Sequence, residues 1–427
     1  MSKWEQTTLG KIVTAGGGKI QTGPFGSQLH ASDYVAAGIP CIMPANMKNN
    51  RVDLSEIALI SEQDADRLSQ HLVREGDIVY SRRGDVTQKA LIKKTEVGYF
   101  CGTGCLLVRP GKKIDAEFLT YHLSTPSNQG WIVKQAVGAT MPNLNTAILF
   151  NVPLNVPDRN TQQKIAAVLS ALDAKIDCNT RMNAELEAMA KTLYDYWFVQ
   201  FDFPDANGKP YKSSGGKMVY NAILKREIPA GWNAKSLAEV SRFKNGINYD
   251  PSVGGDSTAR IVNVRNVSAT TILLKEHDLD VLVLDQADID KYLVTSDSIL
   301  IARSGIPGAT RLMQYCPENT IYCGFIICLT VANPEDKMLL FFRLKQIEKS
   351  LLSTSSGSIL KNVSQDTLKA VCFAMPPHEF RVVIQNFNAA INPILEKVSL
   401  NHQANYELTQ LRDWLLPMLM NGQVTVA

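Results

Sequence analysis

The chain has 427 residues, of which 45% are hydrophobic and 20% charged. This composition is typical of a globular protein of two to three domains and excludes extensive disorder. The longest apolar stretches, such as residues 325–331, are too short to cross a bilayer. No apolar segment follows Lys3 and Glu5, so we expect no membrane partner and no signal peptide.

The net charge of +3 is nearly neutral. A nucleic-acid partner would therefore have to be bound by basic residues that cluster in space, because there is little overall excess of them. The eight cysteines form no Cys-x-x-Cys pair and no Cys/His pattern with zinc spacing. We therefore expect a reduced, cytoplasmic protein without a structural metal.

Short strand-like and helical runs occupy two separate stretches of the chain. In the first stretch, strands are predicted at 39–43, 78–81 and 104–108, and helices at 62–68 and 116–123. In the second stretch, strands are predicted at 261–264, 299–302 and 324–331. Short strands interrupted by helices indicate a mixed α/β (α+β) fold in both stretches.

The two stretches repeat the same motifs in the same order. The pattern Trp-x4-Leu-x2-Ile/Val begins at Trp4 and again at Trp232. The later pairs are 77–84 with 297–305, Cys101-Gly102 with Cys323-Gly324, Gly138-x4-Asn143 with Gly357-x4-Asn362, and 152–157 with 371–377. This order predicts an internal duplication. The alternative is two unrelated α/β domains that share common strand–turn patterns.

A long helical pattern follows each stretch. Residues from Ile165 to Trp197 place apolar side chains and two asparagines at alternating steps of four and three, which is the spacing of a coiled-coil seam. The same seam recurs 222 residues later, with both asparagines at the same places. A polar residue within a seam fixes the register of the helices. The predicted contact and partner-scaffold residues are Leu172, Ile176, Asn179, Asn183, Leu186, Ile394, Val398, Asn401, Asn405 and Leu408.

These patterns predict two long helices that pack against each other. If each helix only covered its own domain, the apolar positions would be explained but the matched asparagines would not. The predicted domain order is a domain at 1–158, a helix at 159–202, a linker at 203–228, a domain at 229–378 and a helix at 379–427.

Local signals refine the ends of the two helices. We expect Thr161 to cap the first helix. Pro393 should kink the second helix or delay its start, and Pro417 and Gly422 should end it.

The chain shows no motif of a common enzyme class. Gly16-Gly-Gly-Lys19 resembles a phosphate loop, but Ile20 stands where that loop needs Ser or Thr. There is no Gly-x-Ser-x-Gly elbow, no His-Glu-x-x-His motif and no Asp-Pro-Pro-Tyr or Asn-Pro-Pro-Tyr motif. The six histidines are scattered. We therefore expect no catalytic residue and no bound metal.

Polar loops after the predicted strands carry side chains suited to DNA. Arginine, asparagine and glutamine read base edges, and lysine and serine contact phosphates. The candidates in the first domain are Lys19, Gln21, Ser27, Gln28, Arg82, Arg83 and Lys89. Those in the second domain are Lys244, Asn245, Asn248, Tyr249, Arg265, Asn266, Arg303 and Ser304. Each of them could instead be an ordinary solvated loop residue.

With these motifs the chain resembles the specificity subunits of type I restriction–modification systems. The similar segments are Gly23-Pro-Phe-Gly-Ser-Gln-Leu-His-Ala-Ser-Asp-Tyr34 with Gly38-Ile-Pro40, the run 75–82 repeated at 297–303, Pro153–157 followed by Gln162-Gln-Lys-Ile165, and the aromatic run 193–203. The second copy lacks the Gly-Pro-Phe-Gly turn and has Phe380-Arg-Val-Val-Ile384 in place of Gln-Gln-Lys-Ile. Residue-by-residue equivalence of the loops therefore does not follow from the sequence.

The resemblance implies a pseudo-twofold subunit with two target-recognition domains separated by two long antiparallel helices. Each domain would recognise one half of a gapped double-stranded DNA target. Two methyltransferase subunits that use S-adenosylmethionine to methylate adenine N6 would dock on the helices, and a motor/nuclease subunit that uses ATP and Mg would join them. The specificity subunit itself would bind no cofactor. The aromatic residues 194–198 are a candidate partner surface, or else they pack within the chain.

Two other functions remain open at this point. The chain could be a stand-alone DNA-binding nuclease with an unrecognised site, in which case it would cleave DNA with a divalent metal. It could also be a scaffold that binds only proteins, in which case it would not select DNA sequences.

Overall fold

A computed structural model describes residues 4–136, 142–250, 254–269, 271–354 and 362–426. Gly138 and Gly357 of the repeated motif lie outside the described residues. The chain forms two compact units. Unit 1 comprises residues 1–175 and 407–427, and unit 2 comprises residues 176–406. The two long helices each contribute residues to both units, and each unit is otherwise an α/β domain.

Unit 1 contains twelve strands among its described residues. They are β1 Glu5–Thr8, β2 Lys19–Thr22, β3 Tyr34–Val35, β4 Ile39–Ile42, β5 Met47–Lys48, β6 Arg51–Val52, β7 Ala58–Ile60, β8 Ile78–Ser81, β9 Lys89–Leu91, β10 Phe100–Cys101, β11 Cys105–Arg109 and β12 Pro153–Val156. Two four-stranded sheets, in the orders β2-β11-β8-β9 and β10-β4-β7-β3, form its centre. Every residue of β8 is buried, which explains its apolar Ile-Val-Tyr run.

Four of the five short helices of unit 1, all except the first, begin at side-chain caps. The five helices are α1 Leu9–Ala15, α2 Glu62–Arg67, α3 Ala116–His122, α4 Pro126–Gln135 and α5 Thr146–Phe150. Ser61 accepts a hydrogen bond from the Asp64 amide at the start of α2, and Asp115 accepts from the amides of Glu117 and Phe118 at the start of α3. The predicted strands and helices of this stretch are confirmed to within a residue or two at each end.

The strands and short helices of unit 2 repeat part of this arrangement. Its strands are β13 Met218–Asn221, β14 Arg226–Pro229, β15 Asn233–Ser236, β16 Ser241–Asn245, β17 Ser257–Val262, β18 Asp280–Leu284, β19 Ser298–Ala302, β20 Thr310–Arg311, β21 Thr320–Tyr322, β22 Ile326–Val331 and β23 Cys372–Met375. Its shorter helices are α7 Leu237–Val240, α8 Val264–Val267, α9 Gln286–Lys291, α10 Lys337–Thr354 and α11 Gln365–Lys369. The sheet β16-β22-β19-β20 has the topology of β2-β11-β8-β9.

The duplication is confirmed by equivalent backbone hydrogen bonds. The amide of Leu9 donates to Val152 O at 2.9 Å, and that of Leu237 donates to Val371 O at 2.9 Å. These bonds lie at the ends of two equivalent strand pairs, since β1 pairs antiparallel with β12 and β15 with β23. Two unrelated α/β domains would not share this set of pairings.

The first long helix and the turn that ends it cover the residues predicted from the seam. This helix spans Arg159–Tyr194 and continues as a π-helical turn over Asp195–Val199. Its cap is Asp158, whose Oδ1 accepts from the Thr161 amide at 3.1 Å, so the prediction of Thr161 as the cap was wrong. The Asp158 carboxylate also accepts from the Thr161 hydroxyl, so the two residues hold each other.

The second long helix spans Val382–Met420. It begins well before Pro393, so the proline does not delay its start, and it continues through Pro417. The chain turns at Gly422, which has a φ of 76°. We number these helices α6 (Arg159–Tyr194) and α12 (Val382–Met420).

The segment at 203–228, predicted as a linker, contains a hairpin formed by β13 and β14. Neither strand has the alternating apolar pattern from which strands are predicted. Phe203 and Ile228 are buried in the core of unit 2, and the ring of Phe203 stacks on Trp232 with centroids 5.3 Å apart. The segment is therefore packed against the second domain.

Candidate nucleic-acid interface

The candidate loops of unit 1 meet at one edge of the sheet β2-β11-β8-β9. The register pairs Thr22 with Leu106 and Ser81 with Cys105, so the ends of β2 and β8 lie beside the start of β11. The loops 23–28, 82–84 and 102–104 therefore lie together, and we call them the loop edge of unit 1. The Arg82 amide donates to Gly104 O at 2.8 Å.

Arg82 is the residue that connects these loops. Its guanidinium carbon lies 5.7 Å from the centre of the Phe25 ring, and its Nε donates to Asn143 Oδ1 at 3.3 Å. Phe25 is in a closed turn, because its carbonyl accepts from the Gln28 amide at 2.8 Å and its amide donates to Gln28 Oε1 at 3.0 Å. Gln28 thus holds the turn while Ser27 is exposed.

Gly23 is required at the start of this turn. Its amide donates to Cys105 O at 2.9 Å, and a Cβ at this position would lie 2.3 Å from Gly102 O. No other residue fits such a close approach. The Gly-Pro-Phe-Gly sequence is therefore structural at its first glycine, while Phe25 projects into solvent.

Unit 2 has an equivalent loop edge, formed by residues 246–249, 303–305 and 323–325. The Gly246 amide donates to Ile326 O at 3.1 Å, and a Cβ on Gly246 would lie 2.2 Å from Tyr322 O. The Arg303 amide donates to Phe325 O at 2.8 Å. Gly246 is thus the counterpart of Gly23, and Arg303 that of Arg82. The structure provides the equivalence of loops that the sequence lacked.

The strands leading to these edges share a further contact. Gln21 Nε2 donates to Gln70 O at 2.7 Å in unit 1. In unit 2, Lys244 Nζ donates to Lys291 O at 2.5 Å and lies 4.7 Å from the centre of the Tyr292 ring. Both side chains therefore brace the sheet in the same way, although one is neutral and the other charged.

The predicted DNA contacts differ in how much of each side chain is exposed. Those exposed are Lys19, Ser27, Arg83, Lys244, Asn245, Asn248, Arg265 and Arg303. Those partly exposed are Gln21, Gln28, Arg82, Tyr249 and Ser304. Among the exposed residues Lys19 lies away from the loop edge, because it pairs with Arg109 at the opposite end of β2.

Lys89 is the most buried of the predicted residues. It is 2% exposed, and its Nζ lies 5.7 Å from the centre of the Tyr80 ring. Burial lowers the pKa of Lys89 to about 7, and the charge of Asp85 only partly opposes this effect. This placement does not favour a phosphate contact by Lys89.

Two further candidates near the loop edge of unit 2 are engaged within the protein. Asn266 is 9% exposed, and its side chain accepts from the Asn263 amide at 2.8 Å and donates to Asp278 O at 3.0 Å. Arg265 is exposed but forms an ion pair with Asp280. A DNA contact by Arg265 would require this pair to exchange partners.

Two residues at the loop edges were not among the sequence candidates. Phe325 is 59% exposed, and Gln365 Nε2 donates to Asn245 Oδ1 at 2.9 Å. An apolar residue next to a buried strand is normally predicted as core, and nothing in the local sequence shows that Phe325 is exposed. Gln365 lies far from Asn245 in the chain, so only the fold reveals their contact.

The predicted seam is confirmed at its asparagines within unit 2. Asn179 Nδ2 donates to Asn405 Oδ1 at 2.8 Å, and Asn401 Nδ2 donates to Asn183 Oδ1 at 2.8 Å. Residue numbers rise along α6 from Asn179 to Asn183, while those of their bonded partners on α12 fall from 405 to 401, so the two helices run antiparallel. Val398 is fully buried, whereas Leu172, Ile176, Leu186, Ile394 and Leu408 are half-buried.

The aromatic run at the end of α6 lies in the core of unit 2. Tyr194, Trp197 and Phe198 are each less than 9% exposed, and Phe198 packs edge-on against Phe387 with centroids 4.9 Å apart. Residues 194–198 therefore pack within the chain, and their interpretation as a partner surface was wrong.

The described ranges contain neither a metal-binding cluster nor a membrane-spanning helix. No group of three or more His, Cys, Asp or Glu residues in these ranges is arranged to hold a metal ion. No helix in the same part of the chain is long and apolar enough to span a membrane.

The sequence and the fold of the chain are similar to those of known proteins. Residues 1–188 match the family described as the type I restriction modification DNA specificity domain. The chain is thus similar, over these residues, to a type I DNA specificity domain. It is 24% identical over 400 residues to the type I restriction enzyme MjaIX specificity subunit of Methanocaldococcus jannaschii, covering 92% of this chain and 88% of that protein.

Two further relatives match almost the whole chain. The type I restriction enzyme HindI specificity subunit of Haemophilus influenzae is 22% identical over 485 residues, covering 99% of this chain and 100% of that protein. The crystal structure of the type I restriction-modification S subunit from M. genitalium aligns with a TM-score of 0.58 and 16% identity, covering 98% of this chain and 96% of that one. The resemblance predicted from the sequence is thus confirmed, and the crystal structure shows the same fold.

Proposed function

We propose that this chain is the DNA sequence-specificity subunit of a type I restriction–modification complex. The observation that carries the proposal is the repeated loop edge, in which an arginine beside an exposed phenylalanine follows the same strand in both units. Arginines, amides and hydroxyls on rigid strands are suited to reading base edges. Two such edges on a duplicated framework fit a DNA target made of two different half-sites.

The helix pair supports the second part of the proposal, a fixed spacing between half-sites. Hydrogen-bonded asparagines within a seam oppose sliding of one helix along the other, because a shift would leave buried amides unpaired. A fixed register is what a gapped target needs, since the gap then has one length. We infer that α6 and α12 carry this role in double-stranded DNA recognition.

The proposed partners supply the chemistry that this chain does not. Two methyltransferase subunits would bind S-adenosylmethionine and methylate adenine N6, and a motor/nuclease subunit would use ATP and Mg. This chain would bind no cofactor and would select the site. Its near-neutral charge of +3 fits a subunit whose partners provide a large share of the phosphate contacts.

Adenine methylation mapping tests the proposal. The full chain is expressed with the methyltransferase encoded next to it, in a host that lacks adenine methylation. We expect one gapped two-part motif that disappears when this chain is omitted. Methylation of the same motif without the chain would contradict the specificity role. If no methylation occurs, binding selection on random duplexes decides, and failure to enrich a two-part sequence would then reject the proposal.

A further inference from the structure

Each unit exposes one large aromatic ring at its loop edge. Phe25 is 53% exposed and Phe325 is 59% exposed, although most phenylalanines of the described residues are buried. Exposing such a ring forgoes part of the free energy that its burial would contribute. A single exposed apolar side chain needs no explanation. Two of them at equivalent edges of a duplicated fold indicate a shared role.

The two rings reach this position from different loops. Phe25 follows β2, whereas Phe325 precedes β22. The position equivalent to Phe25 in unit 2 is occupied by Asn248. Its side chain packs against Gly324, because a Cβ added to Gly324 would lie only 1.9 Å from Asn248 Oδ1. The phenylalanines are therefore not the same residue copied by duplication. The feature that both units keep is an exposed aromatic ring at this edge.

Both rings are held on rigid turns. Phe25 begins the turn closed by the Gln28 amide, and Phe325 lies in a turn closed by the Ile326 amide, which donates to Cys323 O at 2.9 Å. The Gly324 amide also donates to Ile247 O at 2.7 Å. A ring fixed in this way loses little conformational entropy when it contacts a ligand.

An arginine accompanies each ring. Arg82 lies over the Phe25 ring, and the Arg303 amide is bonded to the Phe325 carbonyl. Arg303 is exposed, so its charge is available at the surface. Aromatic rings that stack on bases, combined with arginines that contact phosphates or guanine, are characteristic of nucleic-acid binding surfaces.

We propose that Phe25 and Phe325 are base-contacting wedges, one for each half-site. Each ring packs against the bases of its half-site at an unstacked or kinked step, while the neighbouring arginine anchors the strand. This inference rests on the proposed function and deepens it. It names the apolar contact by which each unit engages DNA, in addition to hydrogen bonding to base edges.

The test uses the full chain and duplexes that carry both selected half-sites, or one selected and one scrambled half-site. We expect Phe25→Ala to weaken binding to the complete duplex about tenfold, as expected for the loss of one base contact. On the duplex whose first half-site is scrambled, Phe25→Ala should bind with the same affinity as the unmodified chain. Phe325→Ala should show the reverse dependence. A 2-aminopurine at the contacted step should lose its binding-induced fluorescence increase in the matching variant.

Phe380→Ala is the matched control, because Phe380 is 44% exposed but lies at the entrance to α12 and belongs to neither set of edge loops. It should bind all duplexes like the unmodified chain. Circular dichroism and thermal unfolding identify variants that fail to fold, and Phe25→Tyr, which keeps the ring, should retain binding. The wedge inference alone would be overturned if both alanine variants bound with the affinity of the unmodified chain. It would also be overturned if their loss of affinity were the same whichever half-site is scrambled. Absence of sequence-selective binding by the unmodified chain would instead overturn the proposed function.

Discussion

Asn401 donates a hydrogen bond from its Nδ2 to Asn183 Oδ1 at 2.8 Å, in the middle of the antiparallel helix pair. The bond between Asn179 and Asn405 is its counterpart under the repeat, since Asn179 corresponds to Asn401 and Asn405 to Asn183. The two bonds are thus exchanged by a local pseudo-twofold axis. Asn183 and Asn401 are each 4% exposed, so the hydrogen bond between their side chains is shielded from water.

Replacement of Asn183 by leucine should therefore destabilise unit 2. The Asn401 amide would lose its carboxamide acceptor while it stays buried, which costs about 1–3 kcal/mol in the free energy of unfolding. The double variant Asn183→Leu/Asn401→Leu should recover much of this loss, because no unpaired amide remains. Urea unfolding of the four members of the double-mutant cycle measures the coupling.

Asn392→Leu serves as the control, since Asn392 is exposed on α12 and its replacement should change the free energy of unfolding by less than about 0.5 kcal/mol. Additive effects of the two seam substitutions would show that the asparagine pair does not act as a unit.

The helix pair shows how far sequence reasoning reaches. Seam spacing and the repeated asparagines predict both helices and their packing, because periodicity records which face is buried. The cap was assigned wrongly. Asp158 and Thr161 are both good caps, and only backbone geometry shows which residue precedes the first turn. The expectation that Pro393 would delay the start of α12 was wrong, since the helix already begins at Val382.

The candidate site was less predictable than the fold. The sequence identifies polar loops after strands, and the structure brings Arg82, Ser27 and Gln28 to one edge. The sequence does not show that Lys89 is buried, because a lysine at the start of a short strand is usually exposed. Nor does it relate Phe325 to Phe25, since these residues come from different loops. Such features depend on tertiary packing rather than on local pattern.

A polar network in unit 1 should stabilise the contact between its domain and the helices. Tyr121 Oη donates to Asp173 Oδ2 at 2.6 Å, and Arg412 Nη1 donates to Asp173 Oδ1 at 2.8 Å. Burial, followed by the hydrogen bond to Asp173, raises the pKa of Tyr121 well above its ordinary value. Asp173 thus connects α3, α6 and α12.

Asp173→Asn should lower the free energy of unfolding by about 1–3 kcal/mol, because it weakens two hydrogen bonds at once and removes one of the two carboxylates that pair with Arg412, the other being Asp413. Hydrogen exchange should quicken in α3 and near Arg412. Asp177→Asn, one turn further along α6 and exposed, is the control. Unchanged exchange at α3 in the Asp173 variant would contradict the role of this network.

Lys89 should make the stability of the chain depend on pH. Its folded-state pKa of about 7 lies below the ordinary value of 10.5. Between these values the unfolded chain holds more protons on Lys89 than the folded chain. The contribution of Lys89 to the free energy of unfolding therefore rises with pH from about 7 to 10.5, and its destabilising effect is complete below pH 7.

Lys89→Met should remove this effect and stabilise the chain by on the order of 1–3 kcal/mol at pH 7, with a smaller gain at pH 10. Thermal unfolding midpoints at several pH values measure the difference between variant and parent. Lys94→Met, at an exposed position nearby, should change neither the unfolding midpoint nor its dependence on pH. A gain from Lys89→Met that does not vary with pH would show that burial of a charge is not its cause.

Arg303 provides the sharpest test of modular recognition. Its guanidinium is exposed and forms no hydrogen bond or ion pair with the described residues, while its backbone is held by Phe325 O and by the Val363 amide, which donates to Arg303 O at 2.9 Å. Arg303→Ala should therefore leave the fold intact and relax the selected sequence in one half-site only. A lost bidentate contact to guanine costs about 1–3 kcal/mol of discrimination at one base pair.

The counterpart Arg82→Ala should relax the other half-site, although its loss of the Asn143 contact adds a structural effect. Sequencing of DNA selected from random duplexes measures both outcomes. Arg242→Ala, at the opposite end of β16 from the loop edge, is the matched exposed control and should leave both half-sites unchanged.

Arg303→Lys keeps the charge but not the forked geometry, so it should preserve affinity better than specificity. If Arg303→Ala relaxed both half-sites, the two units would not recognise DNA independently.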